Sequence, residues 1–170
     1  MVVFFRLIWA LIRARLKPRI DLLDESSFAM RVWPNDLDLN VHMNSGRYVS
    51  MMDIGRVELL ARTRLLLDVF GRGWRPIAAM TNIRYHRSLL PFQRFVVRSR
   101  VVCWDEKWLY FRHVIEHRGQ LCAIAYVRGL LRSKEGNVTP AQILEVAGKR
   151  GLASPPMPDD IARWLSVEPR

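Results

Sequence analysis

Two carboxylates (Asp36 and Asp38), an imidazole (His42) and two carboxamides (Asn40 and Asn44) lie within nine consecutive residues of this chain. Polar groups at this density, next to an apolar helix-forming segment, cost free energy unless they are paired or a site uses them. A carboxylate here could attack a carbonyl or deprotonate water, and the imidazole and amides could orient either reactant. We therefore place the candidate chemistry in residues 36–44, the motif loop.

A helix of about twenty residues is predicted to follow the motif loop. Asn44 or Ser45 is the expected N-cap, because a side-chain oxygen there can accept a backbone N–H of the first turn. Ion pairs between residues three or four positions apart are predicted on its flanks, for Asp53–Arg56 and Glu58–Arg62. One apolar stripe along this helix contains Tyr48, Met52, Gly55, Leu59 and Leu66.

Strand patterns surround this helix in the sequence. Residues 27–33 alternate in the period of a strand, and four long β-branched and aromatic runs follow the helix. These runs, at 76–87, 94–104, 108–117 and 121–132, predict consecutive antiparallel strands in a meander that Gly136 ends. Thr139, Pro140 and Gln142 then have the pattern of a capped short helix, and a last helical turn is expected around Ile161–Leu165. This order indicates an α+β fold with a sheet curled around the helix.

Residues 2–16, with Lys17 directly after them, form a separate amphipathic pattern. Arg6, Ala10, Arg13 and Lys17 share one helical face, and the large apolar residues lie mostly elsewhere. The apolar run is too short for a bilayer and lacks the pattern of a cleaved signal peptide. Packing on its own domain or a partner subunit, lying on an anionic membrane and inserting as a short signal anchor all remain open. We expect this helix in residues 1–24, the main domain in 25–138 and short helices with a tail in 139–170.

Composition restricts the partners. The 170 residues carry a formal charge of +11, which predicts an anionic partner such as nucleic acid, a membrane surface or a phosphate-bearing small molecule. The basic residues are scattered and show no nucleic-acid-binding motif, so nucleic acid is not expected. Serine-hydrolase, P-loop and dinucleotide-binding motifs are missing from the sequence, and no histidine has metal-ligand spacing. Cys103 and Cys122 are expected to be reduced and packed, in a cytoplasmic protein.

The pattern D-x-D-x-x-x-H-x-N-x-x-x-Y, formed by Asp36, Asp38, His42, Asn44 and Tyr48, resembles the hotdog-fold acyl-CoA thioesterases of the 4-hydroxybenzoyl-CoA thioesterase-like branch. The segment DLDLNVHMNSGRYVSMMDIGR is similar to the thioesterase superfamily member 6 subgroup. The resemblance covers roughly residues 25–140. This chain departs from many relatives in having Asn44-Ser45 for Asn-Asn, and Leu90-Pro91-Phe92-Gln93 at a turn where relatives often place an acidic residue.

The resemblance implies a five-stranded antiparallel sheet wrapped around a long central helix, a homodimer or dimer of dimers, and active sites at the subunit interface. It implies an acyl-CoA substrate and no metal or cofactor. Asp38 would be the catalytic carboxylate, oriented with its substrate by His42 and Asn44. The N–H groups of Ser45 and Gly46 would polarise the thioester carbonyl, Tyr48 would contact the substrate, and Arg84, with Arg87, could reach the CoA phosphates.

Other interpretations of the same residues stay open. Asp38 could cap a turn, Asp36 is expected to be structural and paired with an arginine, and Tyr48 could belong to the core. His42 could be a loop histidine with satisfied hydrogen bonds, and Arg84 and Arg87 could lie on a solvated face. The many aromatic and aliphatic residues favour a fatty or aromatic acyl group. One alternative function is a non-hydrolytic hotdog protein that binds acyl-CoA or acyl-carrier protein. Another is a scaffold on the inner face of a membrane, contacted peripherally through residues 2–17.

Overall fold

A computed structural model of the protein describes residues 2–166. In chain order its elements are α1 (Val2–Leu16), β1 (Ser26–Arg31), a 3-10 turn (Pro34–Asp36), α2 (Ser45–Arg62), α3 (Leu65–Gly71), β2 (Arg75–Tyr85), β3 (Arg94–Trp104), β4 (Leu109–His117), β5 (Gln120–Arg132), β6 (Asn137–Val138), α4 (Pro140–Val146) and α5 (Asp159–Ser166).

The sheet curls around α2, as the order of elements predicts. All strand pairs are antiparallel, and the long strands run in the order β1-β3-β4-β5-β2. Met51, Met52 and Ile54 of α2 are buried against Phe28 of β1 and Val97 of β3 in the main core. The five predicted strands are therefore confirmed. Gly136 does not end the sheet, because the two-residue strand β6 follows it and pairs with β5.

The predicted four-strand meander is wrong in one position. Only β3, β4 and β5 form a meander, while β2 pairs with β5 at the far edge of the sheet. The connection from β2 to β3, residues 86–93, is too long for the tight hairpin of consecutive neighbours. It returns to the other edge, where the N–H of Met43 donates to Leu89 O at 2.8 Å and the N–H of Phe92 donates to Val32 O at 3.0 Å.

The central helix has 18 residues, close to the predicted length, but ends before Leu66, the last residue of the predicted apolar stripe. It ends at Arg62, because Arg64 takes a left-handed conformation (φ 67°) and α3 starts in a new direction. Asp53–Arg56 pairs as expected, but Glu58 does not pair with Arg62. Its carboxylate is fully buried and lies 3.7 Å from the ammonium of Lys17, so Glu58 belongs to a helix–helix contact and not to a solvated flank.

Helix α1 packs on α2 with its basic face inward. Arg6, Ala10 and Ala14 are buried, and the Arg13 guanidinium lies 5.6 Å from the centre of the Phe28 ring. Packing on its own domain, one of the three interpretations of this segment, is therefore confirmed. The opposite face exposes large apolar side chains to solvent: Phe4, Phe5, Ile8, Trp9, Ile12 and Leu16.

The C-terminal elements form as the sequence predicts. Thr139 caps α4 by accepting the N–H of Gln142, whose side chain bonds back to the Thr139 N–H at 2.8 Å. Helix α5 packs on the outer face of the sheet through Ile161, which is fully buried. Within residues 2–166, none of the helices combines the length and the apolar character needed to cross a bilayer.

Candidate active site

The motif loop is a tight turn held by the Asp38 carboxylate. Oδ1 of Asp38 accepts the N–H of Asn40 at 2.9 Å and that of His42 at 3.3 Å. The Asp38 N–H donates to His42 O at 2.9 Å, and Val41 reverses the chain with φ 58°. Turn capping by Asp38 is thus observed, and it uses one carboxylate oxygen. Oδ2 makes no hydrogen bond to any residue between 2 and 166, so one oxygen of Asp38 remains for chemistry.

Asp36 is structural, as expected. Its carboxylate is 1% exposed and forms two hydrogen bonds with the guanidinium of Arg6, at 2.9 and 2.6 Å. Oδ2 also accepts the N–H of Trp33 at 2.9 Å, and the carbonyl of Asp36 accepts the N–H of Asn44 at 2.8 Å. The arginine predicted for this carboxylate comes from α1, about thirty residues earlier in the chain.

The start of α2 is capped by Asn44. Its side-chain oxygen accepts the Gly46 N–H at 2.9 Å, which confirms the predicted N-cap. A substrate carbonyl would have to share or replace that bond to reach Gly46. The N–H of Ser45 belongs to the first turn, where no intrahelical acceptor exists. Because the helix dipole is positive at this end, an oxygen with developing negative charge is favoured there.

A cavity of about 270 Å³ lies beside this helix start. It brings together four of the predicted residues, namely Asp38, His42, Ser45 and Tyr48. Tyr48 is also a core residue: its ring is 3% exposed, its hydroxyl accepts the Leu89 N–H at 3.1 Å, and burial raises its pKa. Asn44 and Gly46 adjoin this pocket through the cap but do not line it.

The end of β2 and the segment after it supply most of the remaining pocket lining. These residues are Tyr85, His86, Arg87 and Ser88, of which only Arg87 was predicted from the sequence. Tyr85 packs edge-on against Tyr48 at 5.2 Å and donates its hydroxyl to Ser45 O at 3.1 Å. The length of the connection between β2 and β3 was the available signal, since a long link must cross to another part of the fold.

Arg84 does not reach this pocket. Side chains alternate along a strand, so Arg84 and Tyr85 point to opposite faces of β2. Arg84 lines a separate surface cavity of about 490 Å³ together with Asn82, Arg163 and Trp164. His86 lines both cavities, which therefore adjoin at the end of β2.

A third cavity, also about 270 Å³, is an apolar groove between α2 and strands β2 and β5. Its walls include Val57 and Leu60 of α2, Ile77 of β2, Leu130 of β5 and Ile143 of α4. This groove meets β2 near its first residues, whereas the motif pocket meets β2 at its last residue. About eight strand residues separate them, which is roughly 27 Å in one subunit.

His113 forms a buried polar cluster that is not part of the pocket. Its Nε2 must accept from the Arg56 guanidinium, 3.4 Å away, since arginine can only donate. Nδ1–H therefore donates to Ser99 Oγ at 2.8 Å, which excludes His113 as a base for that hydroxyl. Burial, and secondarily the charge of Arg56, hold the pKa of His113 well below its ordinary value. No metal-binding group of three or more His, Cys, Asp or Glu occurs within residues 2–166.

We expect His113 to make the protein less stable in mild acid. Below about pH 6.5 the unfolded chain binds a proton on this imidazole while the folded chain does not, so the free energy of unfolding falls by up to about 1.4 kcal/mol per pH unit. Urea unfolding at pH 7.5 and 5.5, for wild type and His113→Gln, measures this. An equal pH dependence in both proteins would contradict it.

The chain is similar to known proteins over most of its length. The profile of the thioesterase-like superfamily matches residues 32–165. Protein THEM6 of Xenopus laevis is 32% identical over 166 residues, covering 95% of this chain and 78% of that protein. A probable thioesterase of Saccharomyces cerevisiae is 30% identical over 120 residues, covering 68% of this chain and 51% of that protein.

Solved structures agree on the fold. A probable thioesterase from Bartonella henselae superposes with a TM-score of 0.62 at 21% identity, over 68% of this chain and 98% of that one. A 1,4-dihydroxy-2-naphthoyl-CoA thioesterase from Synechocystis superposes with a TM-score of 0.63 at 14% identity, over 73% and 95% of the two chains. With a sheet curled around α2 and a family match over most of its length, this chain is a hotdog-fold member of the thioesterase-like superfamily.

Proposed function

We propose that this protein is an acyl-CoA thioesterase that hydrolyses a fatty or aromatic acyl-CoA to the free acid and CoA. Thioester hydrolysis is the general activity that the family indicates. The observation that carries the proposal for this site is the pocket in which Asp38 and His42 face the first turn of α2. A carboxylate and a set of backbone donors converging on one cavity are what acyl transfer to water requires.

Asp38 is proposed as the catalytic carboxylate. Its free Oδ2 either attacks the thioester carbonyl, giving an anhydride that water then hydrolyses, or takes a proton from the attacking water. In both routes the bond to sulfur breaks and CoA leaves as the thiolate, which is then protonated. The bonds from Asn40 and His42 to Oδ1 hold the carboxylate in place through either route.

The start of α2 is proposed to stabilise the oxyanion. The Ser45 N–H, with the Gly46 N–H once the Asn44 cap is shared, would donate to the carbonyl oxygen. Gly46 lacks a side chain, and only Asn44 Oδ1, at 3.3 Å, lies near the place where a Cβ would be, so a thioester can approach this backbone. His42 and Asn44 would orient the water or the carbonyl, and Tyr48 would form the apolar wall.

The apolar groove is proposed as the site of the acyl chain, reached from the motif pocket of a second subunit. The outer edge of β2 has no partner strand within residues 2–166, and a long unpaired edge is a template for pairing. When two copies of β2 pair antiparallel, the first residues of one strand lie beside the last residues of the other. The groove of one subunit then adjoins the motif pocket of its partner. A homodimer, alone or in a dimer of dimers, would therefore contain two composite sites.

The CoA end of the substrate is proposed to lie over basic side chains. Arg87 lines the motif pocket, and Arg84 lines the cavity that adjoins it through His86. The nucleotide end of CoA carries several negative charges, so cations along its path and a net charge of +11 both favour its approach. No metal or other cofactor is needed for this chemistry.

Release of free thiol from a panel of short, medium, long and aromatic acyl-CoAs tests the function. We expect turnover, with the panel identifying the acyl group. The rival function, a hotdog protein that binds acyl-CoA or acyl-carrier protein without hydrolysis, is distinguished by binding. No turnover on any thioester, together with retained binding of a CoA thioester, would favour the binding protein.

We also propose that the protein is cytoplasmic and contacts the inner face of a membrane through residues 2–17. The support is the outer face of α1, where Phe4 and Phe5 are about 60% exposed and Trp9 55% exposed. Contiguous exposed apolar side chains mark a binding surface. Arg15 and Arg64 line a surface cavity together with Ile12 of this face, and both are cations that suit anionic lipid.

Flotation with anionic vesicles tests this contact. Wild type should float with vesicles containing phosphatidylglycerol, whereas Phe5→Glu/Trp9→Glu should stay in the soluble fraction because it places two charges in the apolar face. A control with the same change of charge, Phe92→Glu/Leu152→Glu, alters exposed apolar residues away from α1 and should float like wild type. Equal partitioning of wild type and the α1 variant would contradict membrane contact through this helix.

A further inference from the structure

Arg6, on the inner face of α1, bonds to the motif loop. Arg6 is 8% exposed and Asp36 is 1% exposed, and the two form a bidentate ion pair beneath the loop. Bidentate guanidinium–carboxylate pairs set orientation as well as distance, because both partners are planar. Arg6 therefore fixes the position of the Asp36 side chain and does more than neutralise its charge.

Asp36 in turn bonds to two further parts of the site. Its side chain accepts the Trp33 N–H, and its carbonyl accepts the N–H of Asn44, the residue that caps α2. Arg6 itself makes another connection by donating to Arg31 O at 2.7 Å, at the end of β1. Asp38 follows Asp36 by two residues, so the candidate catalytic carboxylate lies in the chain between Asp36 and Asn44, the residue that caps α2.

Arg6 lies on a helix outside the region matched by the family, which begins at residue 32, after α1 and β1. The motif loop of this chain is thus anchored by a helix that precedes the matched region and packs on α2, and the position of the loop depends on how that helix packs.

We propose that Arg6 is a positioning residue for the reaction: through Asp36 it holds the motif loop, so that turnover depends on the docking of α1. The proposal rests on the proposed thioesterase function for its kinetic readout. It assigns to α1 an effect on catalysis that is separate from any contact of its outer face with lipid.

A second ion pair between α1 and the domain offers a matched control. Lys17 follows the last residue of α1 and lies 3.7 Å from the buried Glu58 of α2. Lys17→Gln also removes an inner-face cation from a buried carboxylate, but in a looser contact, since neither oxygen of Glu58 accepts a hydrogen bond from residues 2–166, and at the other end of α1 from Arg6. If the substitutions acted by loosening the packing of α1 in general, kcat would fall in both variants. If Arg6 acts by positioning the motif loop, kcat should fall only in the Arg6 variants.

The test compares kcat and KM of wild type, Arg6→Gln, Arg6→Lys and Lys17→Gln, each assayed well below its own melting temperature. We expect Arg6→Gln to lower kcat roughly 100-fold with little change in KM, because a displacement of about 1 Å at the reacting group has that effect. Arg6→Lys keeps the charge but loses the fork, so its kcat should lie in between. Lys17→Gln should keep kcat within about twofold of wild type, since its site is remote.

Amide hydrogen exchange at Asn44 provides a second readout that does not depend on turnover. Its N–H donates to Asp36 O, so exchange there should be faster in Arg6→Lys than in wild type and unchanged in Lys17→Gln. If Arg6→Gln fails to fold, Arg6→Lys carries both readouts. A folded Arg6 variant with wild-type kcat, or an equal loss of kcat in Lys17→Gln, would overturn the proposal.

The two proposals fail differently. If wild type hydrolyses no thioester, the proposed function is wrong. Asn44 exchange then still decides whether Arg6 holds the loop: unchanged exchange in Arg6→Lys overturns the positioning role, and faster exchange supports it.

Discussion

Asp38→Asn is expected to lower kcat for acyl-CoA hydrolysis by roughly 10²- to 10⁴-fold while leaving the affinity for substrate near wild type. The amide can keep accepting the N–H groups of Asn40 and His42 through its oxygen, so the turn should survive. It cannot act as a nucleophile or take a proton from water. Free-thiol release at saturating substrate measures kcat, and binding of a non-hydrolysable CoA thioether measures affinity.

The control for this result is Asp68→Asn, which removes an exposed carboxylate on α3 and should leave both quantities unchanged. Activity that survives in Asp38→Asn would assign the catalytic carboxylate to another residue, with Asp36 tested first. Asp36 is a poor alternative in this structure, because its two oxygens are occupied by Arg6 and by the N–H of Trp33.

Filling the apolar groove is expected to shift the preference toward shorter acyl groups. Val57 lies on α2, is partly buried and lines the groove, so Val57→Phe puts a larger side chain into a space of about 270 Å³. Each methylene that can no longer be buried costs about 0.8 kcal/mol. Excluding four methylenes should therefore lower kcat/KM for a long-chain acyl-CoA by roughly 200-fold relative to a short-chain one.

Val49→Phe is the matched control, because Val49 is also a partly buried valine of α2 but lines neither the groove nor the motif pocket. The measurement is kcat/KM across acyl-CoAs of increasing length for wild type and both variants. A parallel loss for every chain length would mean that Val57→Phe perturbs the fold, and an unchanged profile would remove the groove from the acyl site.

Local patterns were sufficient for much of this protein. Asn44 caps α2 and Thr139 caps α4 because a cap depends on residues a few positions apart. The strands appear where β-branched and aromatic runs occur, since strand formation follows the alternation of side chains. The motif loop was also recognisable, because its polar residues are close in sequence.

The long-range pairings were decided only in three dimensions. The edge position of β2 brings Tyr85 and Arg87 to the motif pocket. The hydrophobic pattern of β2 would be the same whether it paired with β3 or with β5, so the sequence pattern does not determine which of the two is its neighbour. Glu58 is a second example. Its i,i+4 spacing to Arg62 predicts an ion pair with that residue, but in the folded protein the Glu58 carboxylate is buried and its nearby cation is Lys17.

The sequence by itself determined the fold class, the place of the motif loop and the family, because each depends on residue types at short spacing. Tertiary structure alone decided the orientation of α1. A helical wheel shows a basic face and an apolar face, but not which of them is buried. In the folded protein the basic face is turned inward, where Arg6 pairs with the buried carboxylate of Asp36 and Lys17 lies 3.7 Å from that of Glu58, because a buried carboxylate is stabilised by a nearby cation.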